Sequence, residues 1–133
     1  YEASQAGVKI DLLVRGICAV QPGIKGLSEN ITVKSILGRF LEHSRIYHFV
    51  NGGDDEYWIG SADLMGRNLD RRVESLVLVQ RKEHQLRLQA ILDLGLSDRT
   101  SSWTLKETTW SKPEGKGLTN LHSELIAHYS KDR

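Results

Sequence analysis

The sequence predicts an α/β fold in which helices flank a mixed β-sheet. From about residue 8 to residue 80, short runs rich in β-branched and aromatic residues recur, as is typical of strands. Residues from Lys82 onwards change to the apolar spacing of an amphipathic helix. Because a turn motif also joins two strand-like runs directly, we expect a sheet that is mixed and not purely parallel.

The first part of the predicted sheet consists of two strands and a long connection. VKIDLLVRG (residues 8–16) is a nearly continuous apolar run, which predicts a central strand buried on both faces, with Arg15 at its tip. Residues 17–30 are rich in turn-forming residues and predict a long loop. ITVKSIL (31–37) alternates as a strand does, and GRFLEHS (38–44) predicts a helical turn or a bend.

A hairpin and a further strand follow. RIYHFV (45–50) and YWIGSAD (57–63) are strand-like, and NGGDDE (51–56) between them supplies the positive φ angles of a tight reversal. LMGRNLDRRVE (64–74) is a polar connection, and ESLVLVQ (74–80) predicts another buried strand.

The last part of the chain predicts two helices separated by a two-stranded excursion. A helix of about four turns starts near Lys82, with Gly95 as its C-terminal breaker. Residues 101–117 predict the two strands. Residues 118–133 predict a closing helix with Thr119 as its N-cap.

Length and charge exclude several classes of protein. With 133 residues, the default is a single domain over residues 1–133. The 18 basic and 17 acidic residues give a net charge of +1, which argues against a nucleic-acid binder or a membrane anchor held by bulk charge. Any anionic partner must therefore be held by a few placed groups.

The cysteine content and the start of the chain indicate its setting. The single cysteine, Cys18, excludes an internal disulfide and any multi-cysteine metal site, and its apolar neighbours predict a small buried residue. No apolar run approaches the roughly 18–20 residues of a membrane span. We expect a cytoplasmic protein, with peripheral membrane attachment as the alternative. Since the chain begins at Tyr1, we also expect a fragment of a longer protein.

Residue types that handle phosphate collect near the predicted strand ends. A histidine can accept a phosphoryl group or donate to a phosphate, and arginines hold phosphate oxygens bidentately. A Gly-Ser pair lets a backbone N–H and a hydroxyl approach an anion. The candidates are Arg15, His43, Arg45, Ser61, Arg67, Arg71 and Arg72. A lone histidine near a strand is also a common structural residue, and RNLDRR is also typical of a solvated face, so residue types alone leave the function open.

The sequence contains no metal-binding or glycine-rich nucleotide-binding motif. His122 and Glu124 do not have the spacing of a helical zinc site, so we expect no metal site built from this chain alone. A loop of the G-x-x-x-x-G-K-[ST] type does not occur, and any nucleotide must use a different cradle.

Two long blocks resemble the C-terminal catalytic region of bacterial polyphosphate kinase, the ATP-polyphosphate phosphotransferase. They are ASQAGVKIDLLVRGICAVQPGIKGLSENITVKSILGRFLEHSRIYHF and YWIGSADLMGRNLDRRVE. The resemblance covers the run from Ser4 to Glu74 and weakens afterwards. It implies that the chain is the C-terminal catalytic domain of that enzyme.

The same resemblance implies a phospholipase D-like half. The signature of that fold is H-x-K-x4-D followed by G-S-x-N, and the corresponding segments here are HSR (43–45) and GSAD (60–63). Arginine stands in place of the lysine, Val50 in place of the aspartate and Asp63 in place of the asparagine. These departures count against phosphodiesterase chemistry and suit a kinase.

By resemblance, the family transfers the terminal phosphate of ATP reversibly to polyphosphate, through a phosphohistidine on the preceding domain. His43 corresponds to the family's second histidine, beside the nucleotide phosphates, and is the predicted catalytic residue. Arg15 corresponds to an arginine that contacts ATP. The predicted ligands of phosphate or polyphosphate are Arg45, Ser61, Arg67, Arg71 and Arg72.

The resemblance also implies the partners of the chain. They are ATP or ADP, polyphosphate, the preceding domains of the same enzyme and further copies of it, with no nucleic acid. Mg²⁺ is expected with ATP in the full enzyme. Because the acceptor histidine lies outside the fragment, we expect the fragment alone to be inactive.

Two alternatives stay open. A phospholipase D-like phosphodiesterase half-site would use His43 and the Gly60-Ser61 pair. A non-catalytic phosphate-binding or assembly module would bind polyphosphate or a partner domain without any effect of His43 on turnover.

Overall fold

The structure is a computed structural model that describes residues 1–114 and 119–131, which fall into two compact units. The first unit comprises Tyr1–Glu42 and Leu94–Arg133, and the second comprises His43–Asp93. The single domain over residues 1–133 stays a prediction. Among the described residues, no helix combines the length and the apolar composition that crossing a membrane requires.

The order of the elements along the chain confirms the α/β fold class. The elements are α1 (Glu2–Gln5), β1 (Ile10–Val14), β2 (Ile31–Ile36), β3 (Ile46–Phe49), β4 (Glu56–Gly60), α2 (Gly66–Arg71), β5 (Leu76–Leu78), α3 (Lys82–Ser97), β6 (Ser102–Lys106), β7 (Thr109–Ser111) and α4 (Leu121–Tyr129). A 3₁₀ turn at Asn51–Gly53 joins β3 to β4.

The four strands of the first unit form a mixed sheet in the order β1-β2-β6-β7. β1 and β2 are parallel, whereas the other two pairs are antiparallel. The core lies on β2 and β6, where Ile31, Val33 and Leu105 are buried. The predicted excursion at 101–117 contains the β6–β7 hairpin, and its residues 115–117 lie outside the described part of the chain.

β1 is not the central strand that its sequence predicts. Among the described strands it pairs with β2 alone, and its five residues are half-buried or exposed. A continuous apolar run indicates that side chains are packed, but it does not show how many strands lie beside them. Cys18, in the loop that follows, is also half-buried where full burial is predicted, and it packs against the same core.

The second unit contains the predicted hairpin and a third strand, in the order β3-β4-β5 with antiparallel pairs. Asn51, Gly52 and Gly53 adopt φ angles of 47°, 68° and 106°, as the turn motif requires. The segment 64–74, predicted as a polar connection, contains the short helix α2. β5 is exposed along its length and is therefore not the buried strand that its apolar composition predicts.

α3 continues past the glycine that is predicted to end it. Gly95 is buried within the last turn of the helix. A Cβ atom at this position would lie 2.8 Å from Cδ1 of Leu13 and 3.5 Å from Cδ1 of Ile36. Gly95 therefore lets the last turn of α3 lie close to Leu13 and Ile36, and it does not terminate the helix.

A buried carboxylate directly after α3 connects three parts of the first unit. Asp98 is 0% exposed, and its Oδ1 accepts the N–H groups of Thr100, Ser101 and Ser102 at 3.0, 2.7 and 3.0 Å. Its Oδ2 accepts the N–H of Leu121, at the start of α4, at 2.6 Å. One side chain thus links the end of α3, the start of β6 and the start of α4.

The N-cap of α4 lies one residue after the predicted one. Oδ1 of Asn120 accepts the N–H of Ser123 at 2.9 Å, so Asn120 caps the helix in place of Thr119. Both residue types are good N-caps, and the sequence alone does not decide between neighbours. Residues 118, 132 and 133 of the predicted helix lie outside the described residues.

We expect Asp98→Asn to destabilise the folded chain by about 1.5–3 kcal/mol, the usual value of hydrogen bonds to a charged acceptor. The NH₂ group of asparagine would face a backbone N–H that the carboxylate now accepts, so two donors would lie opposite each other and that hydrogen bond would be lost. Denaturant unfolding followed by circular dichroism measures the change. Asp70→Asn, at an exposed position on α2, is the control and should change stability by less than about 0.5 kcal/mol. Equal unfolding midpoints for both variants would contradict this role of Asp98.

Candidate functional site

Arg45 and Asp63 form an ion pair at the end of the β3–β4 hairpin. Arg45 precedes β3 and Asp63 follows β4, so the antiparallel pairing brings the two side chains together. Nε and Nη2 of Arg45 donate to Oδ1 and Oδ2 of Asp63 at 3.1 and 3.3 Å, and each side chain is 21% exposed. Arg45 and Asp63, two of the three departures from the signature quoted above, therefore balance each other in charge.

The predicted catalytic histidine is fastened to this ion pair through its backbone. Nη1 of Arg45 donates to the carbonyl oxygen of His43 at 3.2 Å, and His43 itself is exposed.

A hydrogen bond between Tyr47 and Ala62 also links β3 to the GSAD turn. The hydroxyl of Tyr47 donates to the carbonyl of Ala62 at 2.7 Å. Burial raises the pKa of Tyr47 and the nearby carboxylate of Asp63 raises it further, so the hydroxyl keeps its proton and its bond.

The hydroxyl of Ser61 is engaged within the second unit. Its O–H donates to Oε2 of Glu74, and its oxygen accepts the N–H of Ser75 at 3.1 Å. The backbone N–H of Ser61 donates to the carbonyl of Ser75, also at 3.1 Å. Both donors of Ser61 thus hold the GSAD turn against the residues before β5. Phosphate binding by Ser61 stays a prediction, and neither donor is available for it while these bonds are made.

Glu74 collects donors from three sides. Besides Ser61, it accepts the amide of Asn68 at 2.8 Å, and Nε of Arg72 lies 3.4 Å from its Oε1. The hydrogen bonds from Ser61 and Asn68 lower the pKa of Glu74, and the charges of Arg72 and Arg45 act in the same direction. The carboxylate therefore stays ionised and balances the charge of Arg72.

Arg67 and Arg71 differ from the other arginines of the second unit. They lie one helical turn apart on α2, so they share one face, and both are exposed. Within residues 1–114 and 119–131, neither side chain has a hydrogen bond or an ion pair with another residue. Of the four candidate arginines in this unit, these two carry charges that no carboxylate of the described chain neutralises.

A shallow cleft of about 460 Å³ lies beside Arg45 and Ser61 within the second unit. Its lining comes mainly from apolar side chains of β3, β4, β5 and α3, namely Ile46, Ile59, Val77, Leu88 and Ile91. An apolar lining does not match a polyanion, whose charges require donors and cations. The cleft is therefore not a candidate for phosphate.

Arg15 lies at the tip of β1 in the first unit. Gly16, at a φ of 112°, is fixed there by Ser35, whose Oγ accepts the Gly16 N–H at 2.8 Å and donates to the Gly16 carbonyl at 3.0 Å. This positive φ favours glycine. Nη1 of Arg15 donates to the carbonyl oxygen of Glu42 at 3.1 Å, and Glu42 is the residue that precedes His43.

The described residues contain no group of three or more histidine, cysteine, aspartate or glutamate side chains arranged to hold an ion. Asp63 is bound by Arg45, and Glu74 is bound by Ser61, Asn68 and Arg72. These two carboxylates therefore hold arginines and the GSAD turn of the second unit.

Sequence reasoning missed the residues that hold the candidate site in place. The sequence pattern predicts Glu74 only as the first residue of a strand, and Asn68 only as part of a polar segment. The signal that points to Glu74 is a lone carboxylate directly after the Arg71-Arg72 pair. Glu42 and His122 of the first unit gave no signal, because their contact joins positions that are distant in sequence.

The chain matches known proteins over nearly all of its length. The family model described as polyphosphate kinase C-terminal domain 2 matches residues 1–123. Polyphosphate kinase of Streptomyces coelicolor is 53% identical over 131 residues, which are 95% of this chain and 18% of that protein. Polyphosphate kinase of Thermosynechococcus vestitus is 48% identical over 136 aligned positions, covering 99% of this chain and 19% of that protein.

The fold is also similar to a solved structure. The crystal structure of polyphosphate kinase from Porphyromonas gingivalis superposes with a TM-score of 0.90 at 33% identity, over 98% of this chain and 20% of that one. The chain thus spans about a fifth of the length of the relatives that it matches. A family match that includes His43, Arg15 and the GSAD turn agrees with the resemblance read from the sequence, and the chain belongs to the polyphosphate kinase C-terminal domain 2 family.

Proposed function

We propose that this chain contributes part of the ATP and polyphosphate site of a polyphosphate kinase. In that reaction the terminal phosphate of ATP is transferred reversibly to polyphosphate through a phosphohistidine on the preceding domain. The observation that carries the proposal is the bond from Arg15 to the carbonyl of Glu42. It ties the arginine proposed to contact ATP to the peptide that leads directly into His43.

The proposed roles follow from the demands of phosphoryl transfer, which are mainly charge neutralisation and in-line positioning. Arg15 supplies a planar, permanently charged guanidinium for the phosphates of ATP. The exposed imidazole of His43 holds the transferring phosphoryl group or donates a proton to it. Histidine suits a reversible reaction, because it changes charge within the physiological pH range.

Arg67 and Arg71 are better candidates for binding polyphosphate than Arg45 and Arg72. The guanidinium groups of Arg45 and Arg72 are balanced by Asp63 and Glu74, whereas those of Arg67 and Arg71 have no such partner in the described chain. Two like charges on one exposed helix face suit a long polyanion, which meets several cations at once.

The proposal also covers the metal ion, the cellular location and the oligomeric state of the full enzyme. ATP is used with Mg²⁺, which the preceding domains and the nucleotide would hold. The full enzyme is a cytoplasmic homo-oligomer whose other domains supply the acceptor histidine. The fragment alone is inactive for this reason.

The phosphodiesterase alternative is disfavoured by the Arg45–Asp63 ion pair. Arg45 occupies the position of the signature lysine, and Asp63 occupies the position of the signature asparagine. The charge of Arg45 is already balanced by Asp63. The direct test is hydrolysis of a chromogenic phosphodiester by the enzyme. Hydrolysis that depends on His43 would favour this alternative over phosphoryl transfer.

We expect His43→Ala, in a full-length polyphosphate kinase that carries this chain, to lower ATP-driven polyphosphate synthesis by at least about a hundredfold, a usual contribution of a positioned acid–base group. Polyphosphate formed from radiolabelled ATP is the measurement. His84→Ala, which changes an exposed histidine of α3, is the matched control. Turnover of His43→Ala at the control level, with folding intact, would contradict the proposal and favour the non-catalytic module.

We expect the double change Arg67→Gln and Arg71→Gln to raise the KM for polyphosphate in the reverse reaction by up to roughly thirtyfold. Each exposed charge contact is worth at most about 1 kcal/mol, and the two add. The salt dependence of KM should fall as well.

The matched control removes two other exposed arginines, Arg81 and Arg87, and thus the same net charge. Steady-state kinetics of ATP synthesis from ADP and polyphosphate at two salt concentrations compare the double variants. Equal KM values for the two would show that net charge, and not this face of α2, sets the affinity.

A further inference from the structure

The segment that leads to His43 has no regular structure of its own. We call residues 37–42 the connector; it starts after β2 and ends at the residue before His43. Its first N–H, of Leu37, donates to the carbonyl of Ser101 at 2.8 Å. Its last carbonyl, of Glu42, accepts from Arg15 at 3.1 Å. The path between these two ends depends on side chains of other elements.

His122, in the first turn of α4, contacts the middle and the end of the connector at once. Its Nδ1 accepts the N–H of Phe40 at 3.4 Å, and its Nε2 lies 3.4 Å from Oε2 of Glu42. The rings of Phe40 and His122 also lie 5.5 Å apart between centroids. The imidazole itself is buried, with only 8% of the side chain exposed.

These two contacts assign the proton of the imidazole. A ring nitrogen that accepts an N–H carries no hydrogen, so Nδ1 is the bare nitrogen. Nε2 therefore carries the hydrogen and donates to the carboxylate of Glu42. In this tautomer His122 binds the connector through one acceptor and one donor, which an apolar side chain of the same size cannot do.

Gly38 allows the connector to lie directly against the imidazole. A Cβ at Gly38 would lie 2.5 Å from Nδ1 and 2.8 Å from Cε1 of His122. These distances are shorter than real carbon contacts allow. The connector and α4 are therefore matched to each other in shape as well as in hydrogen bonds.

The position of His122 is itself fixed by the start of α4. Leu121 donates its N–H to the buried Asp98, and Asn120 caps the helix and donates from Nδ2 to Oγ of Ser101 at 2.7 Å. His122 follows these two residues directly, so its ring is held by a rigid helix start. A rigid support is what a residue needs in order to position another one.

We propose that His122 is a positioning residue, which sets the path of the connector and thereby the backbone of His43. The inference rests on the function proposed above. His122 does not touch the phosphates in this role. It acts through Phe40 and Glu42 on the residue that follows them, and small displacements of a reacting group lower rates steeply.

The test uses a full-length polyphosphate kinase that carries this chain, with His122→Ala and His122→Asn. The asparagine oxygen can replace Nδ1 as the acceptor for Phe40, so it should restore part of the loss. We expect kcat/KM for ATP to fall roughly ten- to a hundredfold in His122→Ala and less in His122→Asn. His128→Ala, at an exposed position on the same helix, is the control and should leave kcat/KM unchanged.

Hydrogen exchange provides a readout that does not depend on activity. Exchange at the amides of residues 37–43 should become faster in His122→Ala, while the amides of β2 and β6 keep their rates. Should His122→Ala fail to fold, Glu42→Gln removes the acceptor charge and should show the same local change in weaker form. Unchanged kcat/KM in His122→Ala, or exchange that rises equally throughout the first unit, would overturn the inference.

The two proposals fail in different ways. If His43→Ala keeps full turnover, the proposed function is wrong, and local exchange alone then decides whether His122 holds the connector. If His43→Ala is inactive while His122→Ala matches His128→Ala in kcat/KM, the proposed function stands and the positioning role is wrong.

Discussion

The first unit depends on the four backbone N–H groups that the buried carboxylate of Asp98 accepts. Without it, the buried N–H groups of Ser101, Ser102 and Leu121 would lose their acceptor, at a large cost in free energy. The same carboxylate fixes the start of α4, and with it the imidazole of His122 against the connector. A buried interaction of the first unit therefore supports the contacts that hold the connector, which ends at Glu42.

In the second unit, ion pairs decide which arginines can serve a ligand. Arg45 and Arg72 are held by carboxylates and carry structure, because Arg45 fixes the backbone of His43 and Glu74 holds the GSAD turn. A phosphate that competed for these guanidinium groups would have to leave a carboxylate unpaired. Arg67 and Arg71 involve no such loss, so the surface that we propose for polyphosphate includes fewer arginines than this unit contains.

Local sequence patterns predicted the elements of this fold well, but they predicted the burial and the neighbours of those elements poorly. The turn between β3 and β4 was predicted correctly because its residues need positive φ angles, a property of the chain itself. The exposure of β5 and the edge position of β1 depend on which other segments lie beside them, and apolar composition does not contain that information. Gly95 looked like a helix end for the same reason, since its partner Leu13 is distant in sequence.

The candidate site shows the same division between residue type and placement. Histidine and arginine were recognisable as phosphate-handling residues, but the sequence did not reveal that Ser61 donates its hydroxyl to Glu74 or that His122 contacts Glu42. The contacts of Glu42 with Arg15 and with His122 also differ in kind. Arg15 binds its carbonyl, which every residue type possesses, whereas His122 binds its carboxylate. Substitutions at this position therefore separate the backbone path of the connector from the side-chain contact that secures it.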